Sequence, residues 1–291
     1  MEKPKTINQH FVPQFYLENF LDDNRKIHVY DLKEKKYFHT VPKKICYHKY
    51  LYEMKKDYDS GEYLSPNCIE NIYTEYDGRS ATVLRKILNV CKQPQNRDAL
   101  ILRGKERKLF FCFVAHTILR NPWSMDDLSV DKITQDDIIH DETSPVHDIL
   151  SLAQILSLSP EMLFLAGKKK MMLSGELEND PFNKLVESLM TMHFFFVYAE
   201  KGEFLTSDVP VCMGEVPVIE GEDKTSVYFA LSPKIAVIFG NYQILRPHRN
   251  RMVYIDSKGV DVFNRNLIKL DNGRRLIIGA SEELVTKYIS S

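Results

Sequence analysis

Apolar residues recur at helical spacing through the middle of the chain. Between residues 68 and 90 they follow one another at intervals of three and four, which is the spacing of one buried helix face. A second helix is predicted over 105–120, and the pair Asn121-Pro122 ends it because the residue before a proline avoids helical geometry. Similar spacing predicts further helices over 147–166 and 181–192. The middle of the chain is therefore predicted to be mainly helical.

The hydrophobic period changes from helix to strand at Phe194, and four short runs of apolar or β-branched residues follow. The first two runs flank Lys201-Gly202, a pair typical of a two-residue hairpin turn. Short turns favour antiparallel neighbours, so the strands from Phe194 to Phe239 are predicted to form one mainly antiparallel sheet. This sheet is expected to pack against the helices over 68–90 and 105–120. The four predicted strands are 194–200, 203–206, 227–231 and 235–239.

Two strand-like runs also precede the helices. Residues 26–31 and 36–41 are separated by polar residues suited to a turn and predict an N-terminal β-hairpin. Neither an internal repeat nor a low-complexity linker divides the chain. The predicted fold class is α+β, with central helices packed against a mainly antiparallel sheet and an N-terminal β-hairpin. We expect a single domain over 1–291, with the hairpin and helices in 1–192 and a sheet-rich half in 193–291.

The composition is that of an ordinary globular protein, with 44% of the 291 residues hydrophobic and 27% charged. No segment approaches the roughly 18 uninterrupted apolar residues of a membrane helix, and the N-terminus has no apolar stretch typical of a signal peptide. The net charge is −1, so any contact with nucleic acid needs a local basic patch. The five cysteines include no C-x-x-C pair, which predicts reduced thiols and a cytoplasmic protein.

The chain lacks the sequence motifs that identify a known type of reaction. It contains no glycine-rich phosphate loop, no G-x-S-x-G elbow, no H-E-x-x-H pair and no E-x-x-H pattern. The sequence therefore predicts no metal ligand set and identifies no cofactor, and the candidate chemistry rests on three groups of polar residues.

The first group lies in the N-terminal segment Asn8–Leu17, where polar side chains precede a short apolar helix. His10 titrates near neutral pH and is a candidate general base. Gln9, Gln14 and Tyr16 are candidate substrate-binding residues, since their side chains can form several hydrogen bonds. The alternative role of this segment is to cap and pack the start of the helix.

The second group, Thr206–Pro210, follows a predicted strand, and strand ends commonly present carboxylates to a pocket. Asp208 is a candidate catalytic residue that would orient His10 or bind a metal, and Ser207 is a candidate substrate ligand. The alternative is a turn in which Asp208 accepts hydrogen bonds from backbone N–H groups before Pro210.

The third group lies at the end of the helix over 105–120. Arg120 follows His116 by four residues on the same helix face, and it is a candidate clamp for a phosphate or carboxylate. The alternatives are an interaction with the helix dipole and a salt bridge. Glu70 in the preceding helix is a candidate second carboxylate, although its spacing from Glu75 does not place the two on one face.

Four sequence blocks carry a family resemblance: QHFVPQFYL at Gln9–Leu17, RNP at Arg120–Pro122, FLTSDVP at Phe204–Pro210 and LSP at Leu231–Pro233. Together they resemble the bacterial domain-of-unknown-function family 4238, over about residues 8 to 289. The first and third blocks are specific only in combination. The family is uncharacterised, so the resemblance implies no activity. It implies a cytoplasmic protein of a microbe or phage, and we expect a setting of phage defence or mobile elements.

Two functional hypotheses follow. In the first, the protein hydrolyses phosphodiesters of nucleic acid or a nucleotide, with His10 as base, Asp208 as its orienter and Arg120 as phosphate clamp. In the second, it is a non-catalytic binding or regulatory module, and the same residues form a buried network that fixes the N-terminal helix. Because polar groups are costly to bury unpaired, Gln9-His10 and Ser207-Asp208 should find partners or face a cleft. Both pairs belong to blocks that carry the family resemblance, and from this resemblance we expect His10 and Asp208 within about 10 Å of each other, with Arg120 on the same wall.

Alanine substitutions separate the two hypotheses. Under the first, His10→Ala or Asp208→Ala abolishes activity and leaves the fold cooperative. Under the second, the same changes lower thermal stability and spare the activity of the folded fraction.

Overall fold

A computed structural model of the chain has the α+β fold that the hydrophobic patterns predict. The residues that it describes are 6–55, 63–64, 66–93, 99–122, 134–140, 146–156, 159, 164–165, 167–170, 181–215, 225–240, 249–269 and 274–289. Their α-helices are α1 (Gln14–Leu17), α2 (Cys68–Cys91), α3 (Lys105–Leu119), α4 (Gln135–His140), α5 (Val146–Leu156), α6 (Pro181–Thr191), α7 (Ser257–Lys269) and α8 (Glu282–Ile289).

The strands form two larger sheets and two short strand pairs. They are β1 (Asn8–His10), β2 (Ile27–Asp31), β3 (Lys36–Thr40), β4 (Tyr47–Lys49), β5 (Met54–Lys55), β6 (Tyr63–Leu64), β7 (His193–Ala199), β8 (Thr206–Ser207), β9 (Val211–Glu215), β10 (Thr225–Ser232), β11 (Ile235–Gly240), β12 (Met252–Ile255) and β13 (Leu276–Gly279).

The helices α2 and α3 agree with the helices predicted over 68–90 and 105–120. They pack against each other, and α3 also packs against α6. Part of the helix predicted over 147–166 is present as α5, whereas residues 157–158, 160–163 and 166 lie outside the described residues.

The larger sheet has the order β12-β7-β11-β10-β9. Its strands are antiparallel except for β12, which runs parallel to β7. Every residue of β11 is buried, as expected for the central strand of a covered sheet. Helix α2 contacts β10 and α3 contacts β9, so the predicted packing of this sheet against these two helices is confirmed.

The predicted turn at Lys201-Gly202 does not make a hairpin, and this part of the prediction is wrong. Strand β7 is already paired with β11 on one side and β12 on the other. The next strand, β8, instead pairs with β13 in the second sheet, whose order is β3-β2-β13-β8. The strands between Phe194 and Phe239 therefore belong to two sheets and not to one.

The side chain of Asn264 on α7 satisfies the backbone of the segment between β7 and β8. Its Oδ1 accepts a hydrogen bond from the Leu205 N–H at 2.9 Å, and its Nδ2 donates to the Glu203 carbonyl at 2.8 Å. The Phe204 N–H donates to the Pro233 carbonyl at 2.8 Å. Because these buried polar groups already have partners, the segment does not need a neighbouring strand.

The predicted N-terminal hairpin is confirmed, since β2 and β3 pair antiparallel. Before it, β1 pairs antiparallel with β4, which sets His10 opposite Tyr47. One hydrophobic cluster includes buried side chains from Phe11 near the N-terminus to Tyr288 near the C-terminus, and it is rich in phenylalanine.

All five cysteines are free thiols, as predicted. Among the described residues, no helix is both long enough and apolar enough to cross a membrane.

Candidate functional site

Gln9 is fully buried on β1, and the polar atoms of its side chain are hydrogen-bonded to other residues of the protein. Its Oε1 accepts a hydrogen bond from the Tyr52 N–H at 2.7 Å, and its Nε2 donates to Oε1 of Glu53 at 2.8 Å. The same Glu53 oxygen accepts from the Asn67 N–H at 3.0 Å, next to the start of α2. Gln9 therefore ties β1 to the beginning of α2, and its amide is directed at protein atoms.

His10 follows Gln9 and faces a different environment. Its Nδ1 lies 3.4 Å from Nε2 of Gln14 on α1, and the backbone of Lys43 is close to the ring. Its Nε2 is buried and has no hydrogen bond of normal geometry with the described residues. Burial lowers the pKa of His10, and the positive charge of Arg120 acts in the same direction. The ring is therefore neutral at neutral pH.

Arg120 lies at the C-terminal end of α3 with a side chain that is 1% exposed. Its Nη1 donates to both carboxylate oxygens of Asp77, at 3.1 and 3.2 Å. Its guanidinium carbon lies 5.2 Å from the centre of the Tyr73 ring. The Nε and Nη2 groups are buried and have no hydrogen-bond partner among the described residues. Unpaired buried donors on a cation are uncommon because they are costly.

Three residues of α2 face this arginine. Glu70, Tyr73 and Asp77 are spaced by three and four residues, which places them on one side of the helix. Burial raises the pKa of Glu70 to about 7, against the opposing effect of Arg120. The hydroxyl of Tyr73 is buried and lacks a partner among the described residues. The cluster thus has a cation, a fixed carboxylate, and a carboxyl group that titrates near neutral pH.

The hydroxyl of Tyr52 joins the N-terminal strand to this cluster. It lies within hydrogen-bond distance of the His10 carbonyl at 3.2 Å and of the Arg120 carbonyl at 3.1 Å. The charges that act on the His10 ring are those of Arg120 and Asp77, and both also act on Glu70. We call His10, Glu70, Tyr73, Asp77 and Arg120 the arginine cluster.

Asp208 is buried beyond the end of β8, and its carboxylate binds backbone. It accepts hydrogen bonds from the N–H groups of Arg275 at 3.1 Å and Leu276 at 3.0 Å. The side chain of Asn121 donates to the Asp208 carbonyl at 2.9 Å. Burial raises the pKa of Asp208 to about 6, although its hydrogen bonds to backbone lower it. This arrangement matches the alternative in which Asp208 satisfies backbone donors.

Ser207 and Tyr16 are also engaged internally. The Ser207 hydroxyl donates to the Val209 carbonyl at 2.8 Å and accepts from Nε of Arg274 at 3.0 Å. The Tyr16 hydroxyl lies 2.6 Å from both Oγ1 of Thr206 and the Ala230 carbonyl. Neither side chain has a polar atom left for a ligand.

The segments around His10 and Asp208 come together through Arg120 and Asn121. Tyr52 connects the His10 backbone to Arg120, and Asn121 connects to the Asp208 backbone. The predicted closeness of the His10 and Asp208 side chains stays a prediction. Within the described ranges, no three His, Cys, Asp or Glu side chains form a group that could hold a metal ion.

Sequence reasoning missed Tyr73 and Asp77, which complete the cluster, and Tyr52, which joins it to the N-terminal strand. The spacing of Glu70, Tyr73 and Asp77 was visible as a signal, because a polar and aromatic stripe at helical intervals lies beside the apolar face of α2. The orientation of that stripe towards Arg120 depends on how α2 packs against α3.

Comparison with known protein families places the chain in a family of unknown function. A family model described as "Protein of unknown function (DUF4238)" matches residues 8–283. No curated protein and no solved structure matches the chain.

Proposed function

The chain belongs to the DUF4238 family of proteins of unknown function, and from its arginine cluster we propose that it hydrolyses phosphodiesters of nucleic acid or a nucleotide. In this proposal Arg120 binds the phosphoryl oxygens, His10 is the general base and Glu70 the general acid. Asp77 and Tyr73 are positioning residues that hold the guanidinium.

One observation carries the proposal: the edge of Arg120 formed by Nε and Nη2 has no partner among the described residues. These two N–H groups are parallel and point to the same side, which is the arrangement that binds two oxygens of one phosphate. Asp77 occupies Nη1 and leaves this edge intact. A phosphate on it would supply the missing hydrogen bonds and a compensating negative charge.

The two groups with shifted pKa values suit opposite proton transfers. A neutral His10 accepts a proton from the water that attacks phosphorus, and its lowered pKa keeps it neutral for this step. Glu70, with a pKa of about 7, gives its proton to the leaving oxygen as the phosphorus–oxygen bond breaks. Arg120 stabilises the charge on the remaining phosphoryl oxygens. Shifted pKa values of this kind are concentrated at functional sites.

The other candidate residues have supporting positions in this proposal. Gln9, Tyr16, Ser207 and Asp208 hold the N-terminal segment and the β8 segment in place, since their polar atoms are bound to protein atoms. Asp208 has no role in orienting His10 or binding a metal here.

The test is the hydrolysis of bis-p-nitrophenyl phosphate by the wild type and by Arg120→Lys. Lysine keeps the positive charge beside Asp77 but lacks the two parallel N–H groups of the arginine, so we expect kcat/KM to fall by about 100-fold. The matched control is Arg107→Lys on the same helix, whose Nη2 donates to the Met190 carbonyl. The control should keep kcat/KM within about twofold. A folded Arg120→Lys variant with wild-type activity would overturn the role of Arg120.

A second candidate function is the non-catalytic binding module. It is favoured by the four candidate residues whose polar atoms are bound internally and by the burial of Arg120. Calorimetry with inorganic phosphate separates the two functions. If the wild type binds phosphate, Arg120→Lys abolishes this binding and the wild type hydrolyses no phosphodiester, the binding module is supported and the hydrolase is overturned.

A further inference from the structure

A cleft of about 290 Å³ lies beside His10 and outside the arginine cluster. Gln14 connects the two sites, because it lines the cleft and its Nε2 is 3.4 Å from Nδ1 of His10. Lys43 also lies at both places, since it lines the cleft and its backbone is near the His10 ring. We call this cleft the basic cleft.

The lining of the basic cleft has three cations and one carboxylate. Arg25, Lys26 and Lys43 are the cations, and Glu18 is the carboxylate. None of the three cations forms an ion pair with a described residue, and Arg25 and Lys43 are exposed. The whole chain has a net charge of −1, so this local excess of positive charge is not a property of the general surface. It is the local basic patch that a nucleic-acid partner requires.

The backbone holds these cations in two ordered segments. Arg25 and Lys26 belong to a turn closed by hydrogen bonds from the Asp22 N–H to the Lys26 carbonyl and from the Lys26 N–H to Oδ1 of Asp22, each 2.7 Å. Lys43 belongs to a short 3₁₀ helix over Pro42–Lys44. Binding an anion here would therefore order side chains but not backbone, which limits the entropic cost.

Among the described residues, the lining includes no aromatic side chain; its other members are Gln14, Leu21, Asn24, Val41 and Pro42. Sites that hold a base of a single strand use aromatic rings as stacking platforms. Cations without such rings contact phosphates, which positions a strand and carries no sequence information. The basic cleft is therefore suited to the backbone of a nucleic acid and not to its bases.

We propose that the basic cleft binds a phosphate of a single nucleic-acid strand next to the phosphate held by Arg120, so that the substrate is a strand and not a mononucleotide. The Arg120 edge and the basic cleft are two separate anion sites, and filling both at once requires a ligand with more than one phosphate in a chain. This inference rests on the proposed function for the position of the reacting phosphate, but the binding of a strand by the cleft is testable without catalysis.

The experiment measures the fluorescence anisotropy of a labelled strand of about 12 nucleotides, as DNA and as RNA. The test variant is Arg25→Ala/Lys43→Ala, and the control is Lys258→Ala/Lys269→Ala, which removes the same charge from exposed positions on α7. At about 0.1 M salt we expect the test variant to bind at least about tenfold more weakly than the wild type. The slope of log affinity against log salt should also fall by about 0.7, since the cleft binds one phosphate and each phosphate contact on a single strand adds about 0.7.

The control variant should bind within about twofold of the wild type. Equal weakening by both double variants would overturn the inference, because it would reflect net charge alone. Wild-type affinity in the test variant would overturn it as well, and so would a nucleoside monophosphate that displaces the strand at equal concentration. Thermal melting of both variants confirms folding, which is expected because all four substituted side chains are exposed.

The outcomes of the two proposals are separable. If the protein hydrolyses bis-p-nitrophenyl phosphate but its binding of a strand does not depend on the basic cleft, the proposed function is kept and this inference is rejected. Cleft-dependent strand binding in a protein that hydrolyses no phosphodiester would reject the proposed catalysis and keep the cleft as a nucleic-acid site.

Discussion

At the scale of single residues, burial decides the charge states in and around the arginine cluster. It raises the pKa values of Glu70 and Asp208 to about 7 and about 6, and it lowers that of His10. The two carboxyl groups differ in what surrounds them. Asp208 accepts hydrogen bonds from two backbone N–H groups, whereas Glu70 lies in the same electrostatic environment as Arg120 and Asp77. Of these two carboxyl groups, only Glu70 is therefore placed to exchange a proton in the cluster.

Replacing Glu70 by glutamine should raise stability and lower activity. The pKa of Glu70 in the fold exceeds its ordinary value of 4.5, so the folded state binds more protons than the unfolded state between about pH 4.5 and 7. Stability therefore falls as pH rises through this range, and Glu70→Gln removes that loss. We expect the variant to be more stable at pH 8 by on the order of 1 kcal/mol, after allowing for partial exposure. Near pH 4 the two proteins should be equal in urea denaturation.

The control for this prediction is Glu75→Gln on the same helix. Glu75 is exposed and pairs with Arg79 at the surface, so its replacement should change stability by less than about 0.5 kcal/mol. The kcat for phosphodiester hydrolysis should fall in Glu70→Gln and not in Glu75→Gln, since only the first removes the general acid. Identical pH profiles for the wild type and Glu70→Gln would show that burial does not shift the pKa of this carboxyl.

At the scale of elements, the route of the chain between β7 and β8 is set by one side chain of α7. Both sides of β7 are paired, so the following residues cannot return along it. The Asn264 side chain forms the hydrogen bonds with the backbone of Glu203 and Leu205 that a neighbouring strand would otherwise form. Strand β8 then pairs with β13. This route carries Ser207 and Asp208 to the second sheet, where Asp208 accepts from the backbone at the start of β13.

Replacing Asn264 by leucine should destabilise the protein by about 2 to 4 kcal/mol. Leucine has a similar size but leaves the buried Leu205 N–H and the part-buried Glu203 carbonyl without partners, and each such loss costs about 1 to 3 kcal/mol. Asn266→Ala on the same helix is the control, because the Nδ2 of Asn266 has no hydrogen bond with the described residues. It should not lower stability, since it removes a buried donor that has no partner among the described residues. Urea denaturation measures both, and equal effects would contradict the role of Asn264.

At the scale of the whole molecule, buried polar contacts connect segments that are far apart in the chain. The Tyr16 hydroxyl joins α1 to β8 and to β10, which belong to different sheets. The hydrophobic cluster likewise includes residues of both the N-terminal and C-terminal halves. These connections favour unfolding as one cooperative unit, which is how a single domain behaves.

We therefore predict one unfolding transition over the chain, with the same midpoint by far-ultraviolet circular dichroism and by tyrosine fluorescence. Tyr16→Phe should shift both midpoints together and lower stability by about 1 to 3 kcal/mol, since the Ala230 carbonyl loses its donor and the Thr206 hydroxyl loses its partner. The control is Tyr198→Phe, at a half-buried position of β7, which should change stability by less than about 0.5 kcal/mol. Two separate transitions would contradict the single domain over 1–291.

Local patterns in the sequence were sufficient to predict most of the helices and strands. Helices α2 and α3, the hairpin of β2 and β3, and the change to strands at β7 all follow from the spacing of apolar residues within a few turns or a few strand positions. The four sequence blocks likewise identify the family. These features depend on neighbours in the chain, so the sequence by itself determined them.

Only the tertiary structure decided which distant groups meet. The pairing of β8 with β13 depends on which strand sides are free after the sheets form. The approach of Asp77 to Arg120 depends on how α2 packs against α3. The protonation of Glu70 depends on the water excluded by residues from several segments. Hydrophobic periodicity shows which face of an element is buried but not its partner, because pairing and desolvation arise between residues that are far apart in the sequence.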